Sequence, residues 1–509
     1  MSEGDTIFAL SSARGKAGVC MIRVSGSRAR VAVAALTGNS VPDPRVATLR
    51  RFVDARGEPI DRGLVVWFPS PHSFTGEDIA EFHAHGSPAV VAALVARLGQ
   101  LNGLRPAEAG EFTRRAFAHG KFDLTEAEGL ADLIDAETEG QRRQALRQMD
   151  GALRERYERW RDALVKTLAH LEAVIDFSEE DLPADLFERV SAAALELGRE
   201  IDLHLSDRRR GEIVRDGFSI VILGAPNVGK SSLLNALAAR DAAIVTATAG
   251  TTRDLIEVDL DLGGYAVTLV DTAGLRETSD EIESEGIARA RRRAANADMR
   301  LAVIDATEPS LDELVSHAMR EGDIVVANKI DLSVSYESRA IESSAIESSA
   351  SDAISSEEAI ESVAIDQSAL HESDDVASDD VSERHAIEQP ASDDGNAFRV
   401  SDALSLPMLR ISARDGSGVG RLISYLTELV VARAGGSEAA PITRMRHRNA
   451  LEAARDALRR AAGNLTETQA MDLAAEDLRL ASRELGRITG RVDVEDLLDV
   501  IFRDFCIGK

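Results

Sequence analysis

The residues of this chain that could do chemistry form an ordered series in its second half. The first group, GAPNVGKS at residues 224–231, combines glycines, which let backbone N–H groups fold around phosphate oxygens, with Lys230, whose ammonium can reach β- and γ-phosphates. The apolar run Phe218–Leu223 precedes this group and the run Ser232–Leu237 follows it. This context predicts the strand, loop and helix of a phosphate-binding loop, and therefore a site for a nucleoside triphosphate.

Two further motifs supply groups that would surround the phosphates and a metal ion. They are GTTRD at residues 250–254 and DTAG at residues 271–274. Because Mg²⁺ prefers oxygen ligands, we predict that the hydroxyls of Ser231 and Thr252 bind it and that Asp271 holds it through water. Gly274 lacks a Cβ, so its N–H can approach the γ-phosphate.

The motif NKID at residues 328–331 indicates that the base is guanine. The carboxylate of Asp331 can accept from both N1–H and the exocyclic amine of guanine, whereas adenine presents an acceptor at the equivalent ring nitrogen. Asn328 and Lys329 would brace the pocket, and Ser412-Ala-Arg414 would form the last loop over the base. Four motifs in this order predict a guanine-nucleotide hydrolase. The predicted nucleotide contacts are Asn227, Val228, Gly229, Lys230, Ser231, Ser232, Thr246, Ala247, Thr248, Ala249, Gly250, Thr251, Thr252, Asp271, Thr272, Ala273, Gly274, Asn328, Lys329, Asp331, Ser412, Ala413 and Arg414.

The group that orients the attacking water is less clear from the motifs. Leu275 stands directly after the DTAG motif, where many GTPases have a glutamine. Another group must therefore position the water, and Glu283 is our candidate for this catalytic role. The other acids of the same segment are alternatives for this role: Glu277, Asp280 and Glu281. The segment could also be a solvated acidic loop without a catalytic role.

Two arrangements could neutralise the charge that develops on the phosphates. Arg253 and Arg276 could act as arginine fingers. Alternatively, the side chain of Asn227 and carbonyl oxygens of residues 246–251 could hold a monovalent cation at the same place. Asn227 could also simply cap its own loop.

Length and composition indicate what kind of protein must position these residues. The 509 residues predict about three domains, and 44% hydrophobic residues are sufficient for buried cores. The two cysteines, Cys20 and Cys506, form no disulfide framework. No signal peptide or membrane-spanning run is recognisable, so we expect a protein that is not bound to a membrane and is cytoplasmic, or organellar after processing.

The net charge of −28 is unevenly distributed along the chain. Residues 333–400 contain 17 Asp or Glu against 3 Arg, which accounts for half of the net charge. The segment is also of low complexity, with the repeat AIESS at residues 340–344 and 345–349. We therefore predict a disordered acidic insert at 333–400 within a GTPase domain at 216–435.

Two helical segments flank this GTPase domain. Leu or other apolar residues recur at steps of three and four between positions 146 and 175, which predicts one long amphipathic helix, and the pattern returns between Met471 and Ile488. We predict that residues 122–215 and 436–509 pack together as one helical domain with the GTPase inserted between them. Residues 1–121 alternate short β-type runs with Gly and Pro and predict a separate α+β domain. The predicted fold class is thus multidomain: an α+β N-terminal domain, an α-helical central domain and an inserted α/β P-loop GTPase domain.

Nearly the whole chain resembles the MnmE (TrmE) family of tRNA-modification GTPases. The resemblance rests on GTTRD at 250–254, DTAGLR at 271–276, SFTGE at 73–77 and the terminal FCIGK at 505–509. It implies a homodimer whose N-terminal domains dimerise and bind a tetrahydrofolate derivative, in its 5-formyl or methylene form. It also implies an FAD-carrying partner of the MnmG type and, as the joint reaction, addition of a carboxymethylaminomethyl or aminomethyl group to C5 of the wobble uridine of certain tRNAs.

The resemblance also assigns residues. It places folate contacts on Arg23, Glu81, Lys121 and Lys509, and the water-orienting role on Glu283. It implies a K⁺ site on Asn227, Thr246, Thr248 and Thr251. Thr248 departs from the aliphatic residue that the family often has there, but the implied ligand is a backbone carbonyl, which any residue offers.

Cys506 could take part in the modification chemistry, because the nearby Lys509 could favour its thiolate, or it could be a small buried apolar residue. For tRNA, the candidate phosphate contacts are the arginine clusters at 208–210, 291–293 and 444–448, although solvated helical faces explain them as well. Two other functions compete with tRNA modification. They are an RNA-binding GTPase of ribosome assembly and a folate-dependent one-carbon enzyme with a regulatory GTPase domain.

Overall fold

The structure, a computed structural model, divides by its contacts into two compact units. One comprises residues 1–215 and 437–509, and the other comprises residues 216–436. The residues that the structure describes are 5–176, 186–207, 209–240, 257–271, 295, 297–332, 397–401, 404–435, 441–468, 470–492, 498, 501–502, 505 and 508. No helix within these ranges is long and apolar enough to cross a bilayer.

The first unit begins with a six-stranded sheet in the order β3-β4-β5-β2-β1-β6, in which only β1 and β6 pair in parallel. Alternation along β2 explains its two faces, since Ile22 and Val24 point into the core and Arg23 points away. Helices α1 and α2 cover the core face. The strands are β1 Thr6–Leu10, β2 Ala17–Ser25, β3 Thr48–Val53, β4 Pro59–Phe68, β5 Ile79–Gly86 and β6 Leu104–Pro106; the helices are α1 Ala29–Thr37 and α2 Pro88–Gly99.

A run of helices follows this sheet. Two of them begin with a capping box, in which the N-cap side chain and the third helical residue satisfy each other's backbone N–H groups: Asp123 with Glu126, and Thr138 with Gln141. The helices are α3 Glu111–Ala118, α4 Leu124–Asp135, α5 Glu139–Met149, α6 Ala152–Asp176, α7 Leu186–Leu205 and α8 Arg210–Asp216.

The prediction of one long helix across residues 146–175 is wrong. The chain breaks at Asp150 and Gly151, between α5 and α6. Gly151 has φ +92°, a left-handed conformation that glycine adopts at little cost and that ends α5. The apolar spacing continues across the break, which is why the pattern alone did not reveal it.

The second unit is a seven-stranded sheet in the order β12-β13-β11-β10-β7-β9-β8. The five inner strands are parallel, and β8 and β12 are antiparallel edges. In such a sheet ligands bind at the carboxyl ends of the strands. The strands are β7 Phe218–Leu223, β8 Glu257–Leu262, β9 Tyr265–Asp271, β10 Met299–Asp305, β11 Ile324–Asn328, β12 Ala397–Ser401 and β13 Leu404–Arg410; the helices are α9 Lys230–Ala238, α10 Glu313–Ala318 and α11 Val419–Ala434.

Edge strand β12 corrects the predicted boundary of the acidic insert. Residues 397–400, which the prediction included in the disordered segment, form most of this strand. Phe398 and Val400 alternate towards the core of the second unit, and this packing gives the segment a fixed position. Residues 333–396 lie outside the described residues.

Two further helices complete the first unit: α12 Met445–Gly463, followed by a π-helical turn at Asn464–Thr468, and α13 Met471–Thr489. Their apolar faces pack with those of α6 and α7 around one core, as the sequence predicted. The core includes Leu153, Tyr157, Trp160, Leu164, Ile201, Leu451, Leu458, Leu478 and Leu485. The predicted fold class is confirmed.

Candidate functional site

The phosphate-binding loop connects β7 to α9. Gly224 and Gly229 have φ +147° and +98°, conformations that residues with a side chain rarely adopt. The ammonium of Lys230 donates to the carbonyl oxygens of Gly224 at 3.0 Å and Ala225 at 2.9 Å. The lysine therefore lies over the loop at the N-terminus of α9, where a phosphate would meet backbone N–H groups and the positive end of the helix dipole.

Asn328, at the end of β11, links three loops. Its side-chain amide donates to the carbonyl of Val228 at 2.9 Å and accepts from the N–H of Ala413, also at 2.9 Å. Asn328 is 3% exposed. A Cβ on Gly229 would lie 2.2 Å from Nδ2 of Asn328, so this contact requires glycine at position 229. The phosphate loop and the two predicted base loops are thus parts of one site.

The base loop holds the carboxylate of Asp331 in place. Asp331 Oδ1 accepts from the hydroxyl of Ser412 at 2.9 Å, and that hydroxyl in turn accepts from the N–H of Asp415 at 3.3 Å. Arg414 is exposed beside them. A carboxylate fixed in this way offers acceptor oxygens for the N1–H and 2-amino groups of guanine.

Asp305, the last residue of β10, was not among the residues predicted for the site. Its Oδ2 lies 2.7 Å from Nζ of Lys329. Although burial opposes ionisation, the hydrogen bonds from Lys329 and Thr307 hold the pKa of Asp305 below its usual value. The available signal was an acid at the end of the apolar run Met299–Ile304, because strand ends of a parallel sheet meet at the ligand edge.

The predicted metal groups also meet. Ser231, in the first turn of α9, donates its hydroxyl hydrogen to Oδ2 of Asp271 at 2.8 Å, and Asp271 is fully buried at the end of β9. An oxygen-only pair beside a phosphate loop fits Mg²⁺. The neighbouring Ser232 is exposed on α9.

Several predicted residues lie outside the described residues: Thr246, Ala247, Thr248, Ala249, Gly250, Thr251, Thr252, Thr272, Ala273, Gly274, Glu283, Cys506 and Lys509. Of the predicted K⁺ site only Asn227 is described, and it has φ +65° within the phosphate loop. These assignments stay predictions.

In the first unit, Arg23 and Glu81 face each other on β2 and β5, with Nη2 of Arg23 2.9 Å from Oε1 of Glu81. The guanidinium also lies over the rings of Phe74 at 5.2 Å and Phe112 at 5.8 Å. Burial opposes ionisation of Glu81, but hydrogen bonds from His83 and Arg23 lower its pKa. A carboxylate and a guanidinium side by side match the donor and acceptor groups of a pterin edge.

The other predicted folate contacts are separately placed. Lys121 donates to the carbonyl of Pro71. The C-terminal residue Lys509 is not described, but the carbonyl of its neighbour Gly508 accepts from the hydroxyl of Ser11 at 2.7 Å, just after β1. Gly508 therefore lies against the N-terminal sheet.

The arginine cluster at 444–448 is not a free cationic surface, and its interpretation as phosphate contacts or a solvated face is wrong. Arg444 pairs with Asp132 at 2.6 Å, Arg446 with Glu128 at 2.7 Å and Arg448 with Asp207 at 2.8 Å. All three side chains are less than 20% exposed. In the cluster at 208–210, Arg209 pairs with Glu212, and the cluster at 291–293 lies outside the described residues.

An α/β sheet with a phosphate-binding loop at one strand end and an Asn-Lys-x-Asp loop two strands away is the architecture of P-loop GTPases, and the second unit is of that class. The sequence outside the second unit identifies the family within this class. A family model described as "GTP-binding protein TrmE N-terminus" matches residues 6–121, and one described as "MnmE helical domain" matches residues 124–506.

Relatives match over almost the full length. The chain is 50% identical over 506 residues to a tRNA modification GTPase MnmE of Paramagnetospirillum magneticum, covering 99% of this chain and 100% of that one. It is 47% identical to the mitochondrial 5-taurinomethyluridine-[tRNA] synthase subunit GTPB3 of Danio rerio, covering 99% and 93%. The chain therefore belongs to the MnmE (TrmE) family of tRNA modification GTPases.

Proposed function

We propose that this protein hydrolyses GTP and couples hydrolysis to modification of the wobble uridine of certain tRNAs. The observation that carries the proposal is the side chain of Asn328, which joins the carbonyl of Val228 to the N–H of Ala413 and so makes one pocket for phosphates and base. Membership of the MnmE family supports the coupling to tRNA, since its relatives are named tRNA modification GTPases.

The described residues have defined roles in this proposal. Lys230 exchanges its two carbonyl partners for phosphate oxygens when GTP binds, and Asp331 accepts from the base. Ser231 and Thr252 would ligate Mg²⁺, and Asp271, which accepts from the hydroxyl of Ser231, would hold it through water. Bound Mg²⁺ neutralises charge on the phosphates.

We further propose that K⁺ completes the site, held by Asn227 and backbone carbonyls at Thr246, Thr248 and Thr251. The test is GTP turnover in K⁺ and in Na⁺ at matched ionic strength. Strong dependence on K⁺ supports the cation site. Equal turnover in both salts contradicts it and returns the charge-stabilising role to Arg253 and Arg276.

Glu283 is proposed to orient the attacking water. Glu283→Ala should bind GTP with ordinary affinity and hydrolyse it slowly, by a factor of about 100 or more. Glu281→Ala, in the same acidic segment, is the matched control and should turn over GTP normally. Normal turnover by Glu283→Ala, or equal loss in both variants, contradicts the assignment.

The N-terminal sheet is proposed to bind the tetrahydrofolate derivative through Arg23 and Glu81, together with Lys121 and Lys509. Support comes from the paired charges on the face of the sheet opposite the core. Titration of 5-formyltetrahydrofolate tests this. Glu81→Gln should weaken binding about tenfold, whereas Glu58→Gln, at an exposed position, should not; equal affinities in both variants contradict the assignment.

The complete reaction is proposed to need a homodimer and an MnmG-type flavoprotein that supplies FAD, in the cytoplasm. The test is nucleoside analysis of tRNA incubated with both proteins, GTP, a tetrahydrofolate donor and either glycine or ammonium. A GTP-dependent carboxymethylaminomethyl or aminomethyl uridine supports the proposal, and an unmodified wobble uridine contradicts it. Retained modification by Cys506→Ser in the same assay would exclude a covalent role for that thiol.

A further inference from the structure

The carboxylate of Asp305 lies beside the base loop and is held in one orientation. The register of β10 against β11 places Asp305 next to Asn328 at the strand ends. Its Oδ2 pairs with the ammonium of Lys329 at 2.7 Å. Its Oδ1 accepts from the N–H of Thr307 at 3.0 Å and from the hydroxyl of Thr307 at 2.7 Å. Both oxygens therefore have donors, and the position of the ammonium is defined by the sheet.

A second acid stands close to Lys329 in the sequence. Asp331 follows it by two residues and carries the carboxylate that must meet guanine. The ammonium of a lysine is carried on a flexible four-carbon stem and can take more than one position. The side chains of Lys329 and Asp305 are 31% and 24% exposed, so packing alone does not confine the lysine. If the ammonium paired with Asp331, it would compete with the base for the same oxygens.

The backbone at Lys329 also favours pairing of its ammonium with Asp305 and not with Asp331. Lys329 has φ +68°, a conformation that costs a lysine about 1 kcal/mol. The N–H of Ala306, which follows Asp305, donates to the carbonyl of Asn328 at 2.7 Å. This hydrogen bond ties the start of the base loop to the end of β10. The end of β10 therefore holds both the backbone and the side chain of the base loop, while Asp331 takes its hydrogen bond from Ser412.

We propose that Asp305 is a positioning residue for guanine specificity. It holds the ammonium of Lys329 away from Asp331, so that both oxygens of Asp331 remain available to N1–H and the 2-amino group of guanine. This inference rests on the proposed GTP binding and adds to it a residue that does not touch the nucleotide.

The test compares Asp305→Asn with the wild type for binding of GDP and of IDP, whose base lacks the 2-amino group. In the variant we expect the freed ammonium to pair with Asp331. GDP affinity should then fall about tenfold, as expected for one charge-assisted hydrogen bond. The preference for GDP over IDP should become smaller. KM for GTP should rise while kcat at saturation stays unchanged. The matched control is Glu308→Gln, which removes an exposed charge three residues on and should change neither ratio nor KM.

A double-mutant cycle with Lys329→Met separates this role from a merely structural one. Without the ammonium, the further change Asp305→Asn should have no effect on the GDP to IDP ratio. Asp305→Glu keeps the charge and should keep the wild-type ratio. The inference is overturned if Asp305→Asn binds both nucleotides as the wild type does, or if its effect persists in the Lys329→Met background. Failure of the wild type to bind GDP would instead count against the proposed function.

Discussion

Glu128 and Arg446, 318 positions apart in the chain, form a bidentate ion pair inside the first unit, with both N···O distances 2.7 Å. The same carboxylate accepts from Nε2 of His447 at 3.0 Å, and Glu128 is 2% exposed. Burial opposes ionisation, but Arg446 and His447 hold the pKa of Glu128 well below its usual value. Helix α4 is thereby joined by charge to α12, from the other end of the chain.

Replacing this carboxylate should therefore destabilise the first unit. Glu128→Gln leaves the buried guanidinium of Arg446 without a counter-charge, and we expect the free energy of unfolding to fall by about 3 kcal/mol. The measurement is urea unfolding followed by circular dichroism. The control is Glu139→Gln, whose pair with Arg142 is half exposed and should matter by less than about 0.5 kcal/mol. Equal losses in both variants would show that burial of the pair has no importance.

The lowered pKa of His447 should make the stability of the first unit depend on pH. Burial and the neighbouring Arg446 lower its pKa to about 4, whereas an unfolded histidine titrates near about 6.5. As the pH falls below about 6.5, the unfolded state takes up a proton that the folded state does not accept until about 4, so stability is lost across this window. His204, with a pKa lowered by burial to about 3, acts in the same direction.

Urea unfolding at about pH 7.5 and about pH 5 measures this loss. His447→Gln keeps an amide that can donate to Glu128 but cannot titrate, so the difference in stability between the two pH values should be smaller than in the wild type. The part that remains includes the loss from His204 and an opposite contribution from Asp123, whose pKa burial raises to about 6. A difference as large as that of the wild type would contradict the lowered pKa of His447.

Gly229→Ala tests the contact between the phosphate loop and the base loop. Its Cβ would come within 2.2 Å of Asn328 Nδ2 at a φ of +98°, so both the loop and the asparagine must move. We expect GDP affinity to fall at least about tenfold, measured by titration calorimetry. The control is Gly420→Ala, where nothing lies within 4 Å and α11 should gain up to about 1 kcal/mol. Unchanged GDP affinity in Gly229→Ala would mean that the contact with Asn328 is not needed.

The nucleotide site was predictable because its information is local. A strand, a glycine-rich loop and a helix follow one another at Phe218–Ala238, and Asn328 ends the next-but-one strand of the sheet, so residue order and strand order together place Asn328 against the loop. Asp305 was missed because its meaning depends on the neighbour that the β10–β11 register supplies. A single acid after an apolar run carries no such information by itself.

The arginines at 444–448, in contrast, could not be interpreted from local sequence. Their acidic partners come from segments 236 to 318 positions earlier in the chain: Glu128, Asp132, Asp207 and Glu212. In the sequence these residues form only a cluster of positive charge, which is typical of a nucleic-acid surface. Only the packing of α4, α8 and α12 reveals that the charge is internally neutralised. Burial of long-range ion pairs is thus the physical reason for that error.

Edge strand β12 directly follows the acidic segment at residues 333–396. β12 pairs with β13, whose other neighbour β11 ends at Asn328, and the apolar side chains of Phe398 and Val400 pack in the core. Replacing residues 333–396 by a short Gly-Ser linker leaves this arrangement intact, so GTP turnover should be retained.

A longer deletion that also removes β12 should behave differently. It uncovers the edge of β13 and the apolar surface under Phe398 and Val400, so stability should fall by about 2 kcal/mol or more. Turnover assays and thermal unfolding of both deletions measure this. Loss of turnover in the shorter deletion would show that the acidic segment itself takes part in the GTPase cycle, and equal stability of the two would show that β12 contributes nothing to the sheet.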